Sequence, residues 1–140
     1  TVLNPQRHAR QDVSMRTATE PDLPAIAGIN DGFFADKDEI RRYLHMGGLS
    51  VLQSGANGII GCGLAEPVFP NGTDIDIGML VAPDFRRQGY GTFIVSHLKS
   101  HVLSKGQRPI CGCGIENIGS QRAIQSAGFA LDHRLLSFKV

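Results

Sequence analysis

No stretch of the 140-residue chain approaches the roughly 20 consecutive apolar residues that cross a bilayer, and its first residues lack the apolar core of a signal peptide. The chain is therefore expected in the cytoplasm, with no membrane partner. Charge of one sign is missing as well, since 14 Lys and Arg stand against 13 Asp and Glu for a formal net charge of +1. A nucleic-acid surface needs basic residues concentrated on one face, so that class is not expected. Cysteine is scarce. Cys62, Cys111 and Cys113 leave one thiol over in any pairing scheme, which argues against a disulfide framework and fits a reducing compartment. Cys111-Gly112-Cys113 is too tight for a zinc pair, and no second Cys/His pair follows at ligand spacing, so no metal is expected. Internal repeats and low-complexity tracts are also lacking.

What is present is ordinary globular material, 41% hydrophobic and 19% charged. At 15.1 kDa the chain is the size of one domain, which buries roughly 70% of the surface of its unfolded form. Residues 1–14 are polar and unperiodic and read as an N-terminal arm; residues 15–140 read as the domain. Met15 to Thr19 begins a strand. Glu20-Pro21-Asp22 is a helix start, continued at helical spacing by Leu23, Ile26 and Ile29, and a second helix spans Asp36 to His45 before Gly47-Gly48. Three apolar runs follow, Leu49 to Gln53, Ile59 to Ala65 and Ile75 to Val81. Asn57-Gly58 between the first two marks an antiparallel hairpin. From Gly91 to Leu103 the residues Ile94, Val95, Leu98 and Val102 share one helical face. A strand from Ile110 to Ile115, a helix from Gly119 to Ala127 and a strand from Phe129 to Val140 complete the order β-α-α-β-β-β-α-β-α-β. The fold class is α+β, a mixed but mostly antiparallel sheet flanked by about four helices.

The most informative stretch is Val81-Ala82-Pro83-Asp84-Phe85-Arg86-Arg87-Gln88-Gly89-Tyr90-Gly91-Thr92, where a strand stops and a helix begins. A helix start offers unpaired N–H groups and a positive dipole end, and glycines admit a phosphate close to the backbone. Arg86 and Arg87 add fixed charge. The stretch contains no GxxxxGK[ST], and Ile94 stands where GxGxxG needs glycine.

Arg86-Arg87-Gln88-Gly89-Tyr90-Gly91 matches the pattern [QR]xxGx[GA]. Asn117, Ser120 and Gly128-Phe129 follow after a strand. Together these resemble the signatures of the GNAT superfamily of acyl-CoA-dependent N-acyltransferases, strongest over residues 73–129, in the Asn-x-x-Ser branch typified by ribosomal-protein N-acetyltransferases. The resemblance implies a single GNAT-like domain whose sheet splays open at the cofactor. It implies acetyl-CoA as co-substrate, a small-molecule or protein amine as acceptor, and direct attack without an acyl-enzyme. Met79, Leu80 and Val81 would bond the pantetheine arm through their backbone, and Arg86, Arg87, Gln88, Gly89, Tyr90, Gly91 and Thr92 would hold the pyrophosphate. Asn117 and Ser120 would lie beside the pantetheine and thioester. Two departures stand out. Ile124 occupies the position where many members carry a tyrosine that protonates the leaving thiolate, so Ser120 or solvent is left for that task. The chain also lacks the family's last strand, so either the fold is short, or the N-terminal arm or a second subunit of a homodimer completes the sheet. Loss of turnover with retention of acyl-CoA binding is the alternative function.

In Asp74-Ile75-Asp76-Ile77-Gly78-Met79-Leu80-Val81, period two sets Asp74, Asp76 and Gly78 on one face. An acid beside a missing side chain makes room for a ligand, and Asp76 matches an acidic position of the related branch that takes the amine's proton. His97 and His101, one helical turn apart, read as exposed side chains with no third ligand. Glu66, beside Pro67 at a strand end, receives no role. The acidic content of residues 28–46, Asp31, Asp36, Asp38 and Glu39, hints at a cationic acceptor.

Overall fold

In the computed structural model, which describes residues 12–111 and 118–129, the apolar runs pair into one sheet in the order in which they occur. The strands are β1 (Val13–Thr17), β2 (Leu49–Ser54), β3 (Gly58–Pro67), β4 (Asp74–Val81) and β5 (Arg108–Cys111). The helices are α1 (Leu23–Ile29), α2 (Lys37–Met46), α3 (Tyr90–Ser104) and α4 (Ile118–Ser126). Neighbours pair antiparallel from β1 to β4, and β4 pairs with β5 in parallel because α3 carries the chain back across the sheet. This is the α+β class read from the sequence. Strand β1 starts at Val13, two residues before the strand expected from Met15. The expected strand beyond Phe129, residues 1–11 of the arm, and Gly112 to Ile115 with Cys113 lie outside the described residues.

Each face of the sheet carries its own core. Alternation sends Leu49, Val51, Cys62, Leu64 and Leu80 toward α1 and α2, where Ile26, Phe34, Ile40 and Tyr43 meet them. It sends Ile75, Ile77 and Val81 toward α3, onto Ile94, Leu98 and Val102. Both Gly61 and Gly63 lie on the α3 side. A Cβ at Gly63 would fall 2.7 Å from Leu98 Cδ1 and 2.9 Å from Ile94 Cγ2, so the absent side chain sets how closely the helix seats. Between Leu52 and Gln53 the β2–β3 register shifts, leaving Ile60 as an extra residue that joins the α3-side core while Ile59 packs on the opposite one.

Helix ends follow their caps. At α2, Asp36 accepts from Glu39 N at 2.9 Å while Glu39 accepts from Ala35 N at 2.6 Å, a reciprocal arrangement, and Gly47 closes the helix at φ 78°. Gly128 closes α4 at φ 93°, with Gly128 N donating to Gln125 O and Phe129 N to Ile124 O at 2.9 and 3.2 Å, the Schellman pattern. Lys99 Nζ donates to Ala127 O at 3.0 Å and lies 5.4 Å from the Phe129 ring centroid. Gly128-Phe129 thus has a local reason, helix termination under Lys99. Before α1, Arg16 grips Asp22 with two nitrogens at 2.7 and 2.8 Å, tying β1 to the turn at Glu20–Asp22 and holding the Asp22 carboxyl down at about 2.

Candidate active site

Strand β4 organises the site because its two sides do different work. Ile75 and Ile77 are buried under α3, while Asp74, Asp76 and Gly78 lie on the opposite face, as the period of two requires. Across the hairpin Glu66 stands directly opposite Asp76. The Asp76 side chain retains solvent access, yet protein packed around it raises its pKa, the charge of Glu66 adds to the rise, and the Ile77 N–H opposes it. Asp74 is engaged differently. Arg108 of β5 clamps it with two hydrogen bonds of 2.9 and 3.0 Å, which engage both of its carboxylate oxygens.

Parallel pairing joins Asp74 through Ile77 with Arg108 through Cys111, and among the described residues Gly78 through Val81 has no partner on the β5 side. The backbone at Met79, Leu80 and Val81 is the segment read as pantetheine-binding. The Val81 carbonyl is already in use, since it accepts from Arg86 Nε at 3.0 Å.

The loop after β4 has the backbone of an anion cradle. Arg87 takes a left-handed conformation at φ 63°, and Gly89 does so at φ 87° as N-cap of α3. A non-glycine residue held there costs on the order of 1–3 kcal/mol, which marks a position kept for its geometry. Among the described residues no side chain caps α3, a 15-residue helix, so a first turn of N–H groups faces the loop. Gln88 Nε2 donates to Asp84 O at 3.3 Å and braces the turn. Tyr90 is buried, 6% exposed and edge-on to Phe85, so this loop residue anchors the helix in the core. Gly91 allows close approach, because a Cβ there would lie 3.1 Å from Met79 Cε and 3.5 Å from Ala123 of α4. Thr92 is half-buried in the first turn. Coenzyme A needs from such a loop a place for a pyrophosphate, and left-handed Arg87 and Gly89, an uncapped helix and exposed guanidinium groups fit that need.

The two arginines differ in their contacts: Arg87 is free of described partners, whereas Arg86 donates to Val81 O and to the carboxylate of Asp31, 55 residues away in sequence. One expectation needs correction, because the space over Gly78 is not open. A Cβ at Gly78 would fall 2.9 Å from Phe33 Cζ, so the gap is filled by a ring from the α1–α2 connection. Phe33 is the residue near the candidate site that sequence reasoning passed over; Asp31 enters it only as part of an acidic segment, and Glu66 enters it without a role. Ser120 lies in the first turn of α4; Asn117 and the Ser120 side chain lie outside the described residues. His97 and His101 are exposed. Cys62 is buried with its thiol pushed up to about 12, and the Cys111 thiol donates to Ile77 O at 3.1 Å. Among the described residues no helix is long and apolar enough to cross a membrane.

A model of the acetyltransferase (GNAT) family matches residues 13–129, and the chain belongs to that family. A GNAT-family acetyltransferase from Colwellia psychrerythraea shares its fold with a TM-score of 0.74 at 23% identity, over 84% of this chain and 46% of that one. The chain thus spans less than half of that protein. A Salmonella typhimurium protein solved with its cofactor acetyl-CoA has a TM-score of 0.73 at 17% identity, over 85% of this chain and 80% of that one. An aminoglycoside antibiotic 6'-N-acetyltransferase from Acinetobacter baumannii has a TM-score of 0.70 at 17% identity, over 91% of this chain and 97% of that one. No curated protein sequence is similar enough to count as a match.

Proposed function

We propose that the chain is an N-acetyltransferase, moving an acetyl group from acetyl-CoA to an amine by direct attack within a ternary complex. The observation that carries this reading is the cradle at 86–92, with Arg87 and Gly89 left-handed before the uncapped start of α3, following directly on the strand that bears Asp76. Arg86, Arg87, Gln88, Gly89, Tyr90, Gly91 and Thr92 hold the pyrophosphate; Met79, Leu80, Val81 and Asn117 hold the pantetheine arm. Bound there, acetyl-CoA supplies the activated acyl group.

The residues of the chain supply position and proton transfer. Holding amine and thioester together removes the entropic cost of their encounter. An alkyl ammonium with a pKa of about 10.4 has almost no free lone pair at pH 7, so a proton must be removed first. Asp76 accepts that proton, directly or through a water. Its raised pKa makes it a better base than an ordinary aspartate, and the negative charge of Glu66 opposite helps to attract the cation. A backbone N–H near Leu80, on the side of β4 that β5 leaves unpaired beyond Ile77, would donate to the acyl oxygen as charge builds there. Ser120 gives a proton to the departing sulfur, in the role that Ile124 cannot fill.

Thiol release from acetyl-CoA over a panel of amines, read beside CoA binding by thermal shift, tests the proposal. A second reading, acyl-CoA binding without turnover, draws support from Ile124 and from Phe33 lying over Gly78. Binding with no thiol release on any amine class selects that second reading; thiol release with one amine class removes it.

A further inference from the structure

The α1–α2 connection, residues 30–36, has no regular structure, yet it is held at both ends. Asn30 Nδ2 donates to Phe34 O and Phe34 N donates to Asn30 Oδ1, each at 2.9 Å, which folds the segment onto itself around the buried Phe34 ring. Two contacts then reach out to the candidate site. The Asp31 carboxylate accepts from Arg86 Nη2. Phe33 stands edge-on to Phe34, 4.8 Å between centroids, and its ring covers Gly78. Phe33 remains 39% exposed, so burial alone does not explain why it lies there.

Arg86 links this connection to the cradle. Its Nε is fixed on Val81 O, inside the protein's own framework, while its terminal nitrogen meets a carboxylate in an open setting, with the two side chains 45% and 46% exposed. An exposed ion pair of this kind is weak. A pyrophosphate carries more charge and accepts the planar guanidinium with two oxygens at once, which makes it the stronger partner. Arg86 Nε can stay on Val81 while its terminal nitrogens change partner.

We propose that residues 30–36 form a strap that Asp31 fastens over the acceptor face of β4, and that a coenzyme A pyrophosphate taking Arg86 from Asp31 unfastens it, moving Phe33 off Gly78. The strap rests on the reading of residues 86–92 as the coenzyme A loop. Asp31 is then a positioning residue that works against cofactor affinity, and access of an amine to Asp76 follows cofactor loading. Linkage makes the effect mutual: whatever fastening the strap takes from CoA affinity, bound CoA takes from the strap.

The chain has no tryptophan, so Phe33→Trp places a single reporter on the strap. CoA titrated into Phe33→Trp is expected to move the emission to longer wavelength as the ring enters water, saturating at the Kd found by calorimetry. Asp31→Asn keeps the shape of the side chain but weakens its hold on Arg86. It is expected to bind CoA about two- to fivefold tighter, the share that an exposed ion pair carries. In the parent chain, amide hydrogen exchange across residues 30–36 is expected to speed up when CoA binds, a readout that depends on no substitution. Equal or weaker CoA binding by Asp31→Asn overturns the strap, as does exchange in 30–36 that is unchanged or slowed by saturating CoA. If the parent itself binds no CoA, the loop reading fails and the strap with it; if the parent binds and only the Asp31→Asn and exchange results fail, the loop reading stands and the strap alone falls.

Discussion

Glu66 and Asp76 face one another across β3 and β4, two carboxylates in one register pair, and the charge of the first adds to burial in raising the pKa of the second. If Asp76 is the base, it works only when deprotonated, so the acid limb of kcat/KM against pH reports its pKa. Asp76→Asn is expected to lower turnover by about 10²–10⁴-fold with CoA affinity retained. Glu66→Gln removes the like charge and should move that limb to lower pH. Stability separates this role from a structural one. A carboxyl with a raised folded pKa binds its proton more tightly in the native state, so its contribution to stability is complete below its unfolded pKa and lost as pH rises through the folded one. Asp76→Asn should therefore not lower Tm at pH 7. Unchanged turnover in this variant at neutral pH would remove Asp76 from the mechanism.

Arg87 gives a second separation of binding from folding. Glycine accepts φ 63° without the strain that arginine carries there. Arg87→Gly is expected to leave Tm unchanged or slightly raised. Loss of one charge-assisted contact, about 1.5–3 kcal/mol, should weaken CoA binding by about 10–100-fold. Calorimetry beside a thermal melt measures both. Parent-like CoA affinity would take Arg87 out of the cofactor site.

Asp22 sets an acid limit on the fold. Its folded pKa of about 2 lies below the 3.8 of a free aspartate, with the Arg16 hydrogen bonds as the largest cause. The stability it confers is therefore present above pH 3.8 and lost as pH falls toward 2. Asp22→Asn should cost about 1–2 kcal/mol at pH 7, allowing for solvent screening at half-exposed Arg16, and little at pH 2. Urea titrations at the two pH values test this, and an equal cost at both would show that the pairing with Arg16 is not its source.

At Gly63 the expected effect is mechanical. Valine there would drive its Cβ into Leu98 and Ile94, and overpacking of this kind costs about 1–3 kcal/mol. Leu98→Ala in the same chain should recover part of the loss, because it clears the space that the new side chain needs. A double variant no more stable than Gly63→Val alone would place the strain elsewhere.

Much of the fold was legible because it is local. The alternation in 74–81, the shared face of Ile94, Val95, Leu98 and Val102, and the glycines closing α2 and α4 each act within a few residues. The strand, turn and helix around residues 86–92 were legible for the same reason, since they follow one another directly. The contacts of the α1–α2 connection were not. Asp31 meets Arg86 across 55 positions, and Phe33 reaches Gly78 from a connection without periodicity. Arg86 and Arg87 are neighbours in sequence, yet among the described residues only Arg86 reaches Val81 O and Asp31, and Arg87 holds the left-handed turn. Beside Pro67, Glu66 reads in the sequence as a strand end. The ladder in fact runs through Pro67, and the long connection from 68 to 73 hides the register that pairs Glu66 with Asp76.

The extra residue at Ile60 makes one position of the β2–β3 hairpin expendable for parity. Ile60 and Gly61 both lie on the α3 side, with Ile59 and Cys62 on the other, so deleting Ile60 would leave its neighbours on the faces they now occupy and give plain alternation. What the deletion removes is one side chain from the α3-side core. Deleting Cys62 instead, where alternation is regular, would exchange the faces of the residues between it and the turn.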